Sequence, residues 1–250
     1  ATSTNAMGEA FRAIRNGYAD AIITGGCENA TIPIGIVGFA NAKALSRATD
    51  PKYASLPFNA NRAGFVMADG SAALVLEEYE HAKARGAQIL GEMVGYGNTC
   101  DAYHSTAPRP DGTTQAKCIE LALEEAGFDK EKDNLYINAH GTGTKLNDVA
   151  ETLAYKNALG DFAYKAHISS IKSMTGHMLG AAGAVEAIVC ALSVARDAVP
   201  PTAGFAEAAE DCPVAVVTEA MTDYPQKVAL STSLGFGGHN AALAFSPYKG

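Results

Sequence analysis

Residues 135–144 read LYINAHGTGT, and residues 166–183 read AHISSIKSMTGHMLGAAG. Each segment begins as a short apolar strand and ends in glycine, serine, threonine or histidine. A third segment of this kind, ALSTSLGFGGHNAA, spans residues 229–242. In an α/β architecture, reactive side chains are presented beyond the carboxyl ends of buried strands. The three segments therefore predict an α/β fold with a chemical site at its strand ends.

Helices and strands alternate along the chain on both sides of these segments. A first helix, with Ala6 and Ile14 on its apolar face, ends at Gly17. The predicted strands are 19–24, 71–78, 89–97, 135–139, 166–170, 214–218, 227–231 and 240–245, and the other predicted helices are 79–86, 115–126, 147–159 and 179–196. This alternation favours helices packed on buried strands that are largely parallel. The polar segment 98–114 is predicted to be a surface loop.

The composition excludes several classes of protein. With 250 residues, 48% of them apolar and 18% charged, the chain is predicted to be globular. Its net charge of −8 is unfavourable for binding nucleic acid or an anionic membrane. The longest apolar stretch, 180–195, is interrupted by Glu186 and is shorter than the roughly 20 residues of a membrane span. We interpret it as a buried helix.

The cysteines indicate the compartment. The five cysteines are scattered and form no CxxC pair, which argues against a disulfide framework or a zinc site. Cysteines of this kind are typical of a reducing compartment. We therefore predict a cytoplasmic protein with no metal.

Two histidines are candidate acid-base groups. His140 follows a strand and precedes small residues that leave its ring open; a structural, hydrogen-bonded histidine is an equally good interpretation. His177 lies on a glycine-flanked turn before a strongly apolar helix. The partial positive charge of that helix end should lower the pKa of His177 and favour a neutral imidazole, which can donate to an oxyanion.

Two further features stand beside these histidines. Lys172 lies between a strand and a buried helix, where a lysine needs a carboxylate partner, and Glu151 is our candidate. The alternative is a solvated surface lysine. The glycines around Phe236 let the backbone approach a ligand and move, so Phe236 could act as a gate. The alternative here is an ordinary turn between strands.

The motifs NAHGTGT, KSMTGHMLGAAGAVE and GFGGHN, together with GFANAKALS and DAYHSTAPRPDG, resemble the C-terminal part of a β-ketoacyl-acyl carrier protein synthase of type II fatty acid synthesis. The interval of 37 residues between His140 and His177 (177 − 140) also matches that family. The resemblance implies a thiolase-like fold of αβαβα layers, incomplete at its N-terminus. Residues 1–86 would be the remainder of the N-terminal half, and residues 87–250 the C-terminal half.

The resemblance also implies a reaction, the decarboxylative condensation of malonyl-acyl carrier protein with an enzyme-bound acyl thioester. His140 and His177 would bind the malonyl thioester carbonyl, and Lys172 paired with Glu151 would support them. The backbone N–H of Phe236 would hold the acyl oxyanion. The further residues implied for the substrate and its phosphopantetheine arm are Phe39, Thr142, Thr144, Gly235 and Gly237, and those implied for docking the acidic carrier protein are Lys43 and Arg47.

The resemblance places a nucleophilic cysteine immediately before Ala1, and none of the five cysteines occupies that place. We expect an upstream segment of the same protein to supply it, along with the first core strands and much of a homodimer surface. A genuinely split subunit is the alternative. No cofactor is expected beyond the phosphopantetheine that arrives on the carrier. The competing functions are a non-catalytic ketosynthase-like partner subunit and a polyketide ketosynthase.

Overall fold

The computed structural model describes residues 1–250. The helices are α1 (Thr2–Arg15), α2 (Pro33–Asn41), α3 (Tyr79–Ala84), α4 (Thr113–Glu125), α5 (Lys145–Leu159), α6 (Lys172–Thr175) and α7 (Ala182–Arg196). The strands are β1 (Ala21–Glu28), β2 (Gly70–Glu77), β3 (Glu92–Cys100), β4 (Leu135–Asn138), β5 (His167–Ser169), β6 (Val228–Gly235) and β7 (His239–Ser246). Short 3-10 turns lie at Pro51–Tyr53, Gly160–Tyr164, Leu179–Ala181 and Phe236–Gly238. The α/β prediction is confirmed.

The strands form two sheets. β1 and β2 are an antiparallel pair, and the larger sheet has the order β3-β7-β6-β4-β5. Only β5, β4 and β6 are mutually parallel; β7 runs antiparallel to both β6 and β3. The prediction of largely parallel strands was therefore wrong. Three residues, Phe236–Gly238, connect β6 to β7, and so short a connection can join only antiparallel neighbours.

Two local predictions also differ from the structure. Residues 214–218 form no strand, and Val216 makes a single bridge to Ile168. The neighbouring strand β5 is only three residues long, so few of its backbone groups are free to pair with residues 214–218. Helix α2 was missed because its sequence, PIGIVGFAN, is rich in glycine and β-branched residues of low helix propensity. Pro33 at its first turn is the one helix signal that it carries.

Helices α1 and α7 lie between the two sheets, and α4 and α5 cover the opposite face of the larger sheet. Both faces of β4 are thereby buried. Leu135 and Ile137 pack in one core cluster, while Tyr136 packs in the other. The segment Leu179–Arg196 is apolar and long enough to cross a bilayer, but half of it is buried inside this fold. It serves here as a core helix.

The outer face of the small sheet is the least covered part of the fold. Ile23 pairs with Val75 across β1 and β2, and their side chains are 79% and 59% exposed. Several apolar residues on and beside α2 are also exposed, namely Ile32, Ile34, Ile36 and Val37. The layers described by the structure are thus sheet, helices, sheet and helices, with no helical layer on this outer face.

Candidate active site

The ends of β4 and β6 and the turn before α7 meet at one cavity of about 1100 Å³. His140, two residues beyond β4, and His177, on that turn, both line it. Their ring centroids are 5.3 Å apart and their ring planes are inclined at 83°. Two imidazoles in this arrangement can contact one small group together.

Glu151, which is buried on α5, holds the backbone of the His140 loop. Its Oε1 accepts from the N–H of His140 at 2.7 Å, and its Oε2 accepts from the N–H of Gly141 at 2.8 Å. The hydroxyls of Tyr155 and Thr232 donate to Oε1 at 2.6 and 3.0 Å. Because its oxygens are occupied in this way, Glu151 fixes the loop that presents the His140 ring.

The predicted pair of Lys172 with Glu151 was wrong. The Nζ of Lys172 instead donates to Oε1 of Glu186 on α7, and both side chains are buried. Glu186 interrupts an apolar helix, and a buried charge in such a helix needs a partner. That interruption was the signal in the sequence that could have identified the pair.

The pKa values of both histidines are lowered well below 6.5, by burial first and then by the positive charge of Lys172. Both rings are therefore neutral at pH 7. The N–H of Leu179 donates to Nδ1 of His177 at 3.2 Å, which leaves the ring proton on Nε2. The predicted neutral imidazole is supported, but burial and Lys172 cause it rather than the helix end.

A row of aromatic rings connects His177 with the tip of the β6–β7 hairpin. Phe65 lies 5.1 Å from His177, Phe39 lies 5.4 Å from Phe65, and Phe236 lies 6.1 Å from Phe39, all between centroids. Phe236 is 51% exposed. It precedes Gly237, whose φ of +83° favours glycine. Phe65 was not identified from the sequence.

The start of α1 adjoins the same hairpin. A Cβ built on Gly235 would lie 3.5 Å from the nitrogen of Ala1, in ordinary contact. Ala1, Gly235 and Phe236 line the cavity with the two histidines. The amino end of a helix therefore faces the site, where it favours negative charge.

Thr142 and Thr144 lie on the cavity wall with their hydroxyl oxygens 2.9 Å apart. Asp148, which is buried, accepts from the N–H of Gly143 between them at 3.2 Å. Lys43 lines the cavity and is exposed. Lys145 also lines the cavity and is exposed, but it was not predicted from the sequence. Neither Lys43 nor Lys145 forms an ion pair.

The structure thus brings together eight of the predicted residues in the cavity wall: Phe39, Lys43, His140, Thr142, Thr144, His177, Gly235 and Phe236. Glu151 and Lys172 are buried behind the wall and support it. Gly237 and Arg47 are outside the lining, Arg47 as an exposed side chain.

None of the five cysteines lines this cavity. Cys118, Cys190 and Cys212 are buried. Burial raises the pKa of Cys118 and of Cys212 to about 12, and raises that of Cys190 well above its ordinary value. These three thiols are poor nucleophiles because they remain protonated at neutral pH.

The chain is similar to known proteins over its whole length. The N-terminal domain of the beta-ketoacyl synthases matches residues 1–82, and their C-terminal domain matches residues 90–206. The 3-oxoacyl-[acyl-carrier-protein] synthase 2 of Synechocystis sp. is 52% identical over 250 residues, and that of Staphylococcus aureus is 46% identical over 249. Both alignments cover 100% of this chain, which spans 60% of the length of these relatives.

Solved structures show the same fold. A ketosynthase of a type II polyketide synthase, solved with its acyl-carrier protein, has a TM-score of 0.94 and 38% identity over 99% of this chain and 61% of that one. A beta-ketoacyl synthase from Burkholderia phymatum has a TM-score of 0.91 and 38% identity over 99% and 59%. The fold thus defines a protein of the thiolase-like class. The chain belongs to the β-ketoacyl synthase family.

Proposed function

We propose that the whole protein condenses malonyl-acyl carrier protein with an enzyme-bound acyl thioester, with loss of CO2, to give a 3-oxoacyl-carrier protein two carbons longer. The observation that carries this proposal is the pair of neutral histidines, 5.3 Å apart, at a cavity that the amino end of α1 also reaches. The proposal agrees with the names of the curated relatives.

In the first half-reaction, a cysteine immediately upstream of Ala1 accepts the acyl group. The bond from the acyl carbon to the carrier sulfur breaks, and a bond to the cysteine sulfur forms. The amino end of α1 lowers the pKa of such a thiol and favours the thiolate. The backbone N–H of Phe236 helps to hold the oxyanion, which is consistent with the proximity of Gly235 to Ala1.

In the second half-reaction, His140 and His177 donate hydrogen bonds to the thioester carbonyl of the malonyl group. The bond to the carboxylate breaks, CO2 leaves, and the electron pair remains as an enolate stabilised by the two donors. The enolate carbon then attacks the acyl carbon, and the cysteine thiolate leaves. Burial and, after it, the positive charge of Lys172 lower the pKa of both histidines and keep both rings neutral.

The carrier protein approaches the cavity mouth. Thr142 and Thr144 bind the amide groups of its phosphopantetheine arm, which their position on the cavity wall supports. Lys43 and Lys145 are cations without partners on the rim, and Arg47 is exposed nearby in the sequence, so an acidic carrier meets local positive charge although the chain is acidic overall. Phe236 gates the acyl path.

The pathway assignment favours fatty acid synthesis. The curated synthase 2 relatives are 46–52% identical, whereas the polyketide ketosynthase is 38% identical. The paired histidines argue against a non-catalytic partner subunit.

Ile23 and Val75 form an exposed apolar pair on the small sheet. An upstream segment or a second copy of the chain, as in a cytoplasmic homodimer, would cover this pair.

The test of this proposal is to incubate the whole protein with a radiolabelled acyl-carrier protein and to map the labelled peptide. We expect the label on a cysteine directly before Ala1, and a 3-oxoacyl product after malonyl-carrier protein is added. Label on Cys27 or Cys100, or no condensation product, would overturn the mechanism.

The rim lysines have a separate test. Lys145→Ala and Lys43→Ala should each weaken carrier binding several-fold at low salt, and the difference should shrink as salt is raised. The matched control is Lys156→Ala, because Lys156 is an exposed lysine on α5 that lies outside the cavity lining. Equal effects of Lys145→Ala and Lys156→Ala on the dissociation constant would exclude a specific role for Lys145.

A further inference from the structure

Glu28 is a carboxylate in the cavity wall to which the proposed mechanism gives no role. It is the last residue of β1, and it lines the same cavity as His177. Its Oε2 accepts from the N–H of Gly180 at 3.1 Å, and its Oε1 from the N–H of Asn29 at 3.3 Å. It therefore connects the end of β1 to the turn that carries His177.

That turn has an unusual backbone. Leu179 has a φ of +43°, in the left-handed region that non-glycine residues rarely occupy. The N–H of this same residue donates to Nδ1 of His177. A conformation of this kind persists only where surrounding contacts hold it. The bond from Gly180, the next residue, to Glu28 is such a contact.

Close packing surrounds the same junction. A Cβ on Gly26 would lie 2.7 Å from the carbonyl oxygen of Gly180 and 2.7 Å from the Cβ of Ser3. The strand β1, the His177 turn and the start of α1 thus pack closely at Gly26. Two residues further along β1, the bond from Gly180 to Glu28 joins the same turn to the strand.

We propose that Glu28 is a positioning residue that fixes the ring tautomer of His177. By holding Gly180, it keeps the N–H of Leu179 directed at Nδ1, so that Nε2 carries the proton toward the substrate. The part of this inference that concerns the reaction rests on the proposed function. The position of the His177 ring proton does not depend on the proposed function.

The kinetic test uses the whole protein and measures the two half-reactions separately. Glu28→Ala should lower kcat for malonyl decarboxylation by up to about a hundredfold, with KM and acyl transfer nearly unchanged, because it displaces one donor. Glu28→Gln should stay within about threefold of wild type, since its amide oxygen still accepts from Gly180. Glu80→Ala, which removes an exposed carboxylate on α3, is the control.

The structural test is the ¹⁵N spectrum of the His177 ring. Wild type, Glu28→Gln and Glu80→Ala should show one protonated Nε2, while Glu28→Ala should show a mixture of tautomers. If Glu28→Ala does not fold, Glu28→Asp, which withdraws the oxygens by one methylene, should shift the mixture in the same direction. An unchanged tautomer in every folded Glu28 variant would overturn the inference. A tautomer change in a protein that does not decarboxylate malonyl thioesters would support Glu28 and refute the proposed function.

Discussion

His140 and His177 occupy one cavity, but the protein holds them by different atoms. The His140 segment is held at its backbone, where the N–H groups of His140 and Gly141 donate to Glu151, and its Nδ1 is buried without a partner. The His177 segment is held at its ring, through the N–H of Leu179. Its backbone also bonds to Val66 and Ala68 on a neighbouring segment.

This difference separates two tasks. The ring proton of His177 is assigned to Nε2 before any substrate arrives, so His177 is a fixed donor. For His140 the protein fixes the backbone of the loop and leaves the buried Nδ1 without a protein partner. The fold therefore determines the hydrogen bonding of the His177 ring, whereas in the proposed function the substrate determines that of the His140 ring.

The largest expected effect comes from Lys172, which is common to both histidines. Lys172→Met leaves the buried Glu186 without its partner and should cost about 3–5 kcal/mol of unfolding free energy, measured with urea. Loss of its charge should also raise the pKa of both rings together, as followed by NMR. The double variant Lys172→Met with Glu186→Gln should be less destabilised. A response confined to one histidine would contradict their common dependence on Lys172.

Removal of a donor is expected to be the next largest effect. His140→Ala should cost about 2.7–4 kcal/mol of transition-state stabilisation for malonyl decarboxylation, because one donor to the developing enolate is lost. Acyl transfer to the nucleophile should continue. His177→Ala should show a similar loss of decarboxylation rate in a CO2-release assay. Near-normal decarboxylation by His140→Ala would show that the two rings do not act together.

Glu151→Gln tests the backbone support of His140. The amide keeps the shape of the side chain but places an N–H against the donors that now share the carboxylate, so we expect a loss of about 1–3 kcal/mol in stability. The rate of decarboxylation should fall because the His140 loop loses its support, while the ¹⁵N signals of His177 remain unchanged. Movement of the His177 signals instead would show that the two supports are not separate.

The smallest effect per residue is on stability below neutral pH. Both histidines have a folded pKa below 6.5, so the unfolded chain binds more protons as pH falls through 6.5. The native protein should therefore lose about 1–2 kcal/mol per histidine between pH 7 and pH 5. His140→Gln should lose less than wild type over this range in urea titrations. Equal losses would show that His140 titrates normally in the fold.

The chemical groups of the site could be predicted from sequence because they lie in local motifs. His140, Thr142 and Thr144 follow directly from β4, and Gly235 and Phe236 end β6, so strand ends alone place them. Contacts between distant segments could not be predicted. The charge of Glu186 within an apolar helix indicated that it needs a partner, but the choice of Lys172 as that partner depends on which helix packs beside it.

The fold shows the same limit. The alternation of helices and strands was visible, but strand direction was not, because it depends on how each connection runs. The GFGG segment joins β6 to β7 as a hairpin with Phe236 at its tip, and this geometry leaves the predicted gating role of Phe236 untested. Neither Phe65 nor Glu28 was given a role from the sequence, and the assembled cavity identifies both.

The rate of malonyl decarboxylation as a function of pH tests the central claim most directly, namely that two neutral imidazoles activate the thioester. Release of labelled CO2 from malonyl-carrier protein by the whole protein should stay level from pH 8 to below pH 6.5, because both rings remain neutral there. A rate that changes tenfold per pH unit around an apparent pKa near 6.5, in either direction, would contradict it.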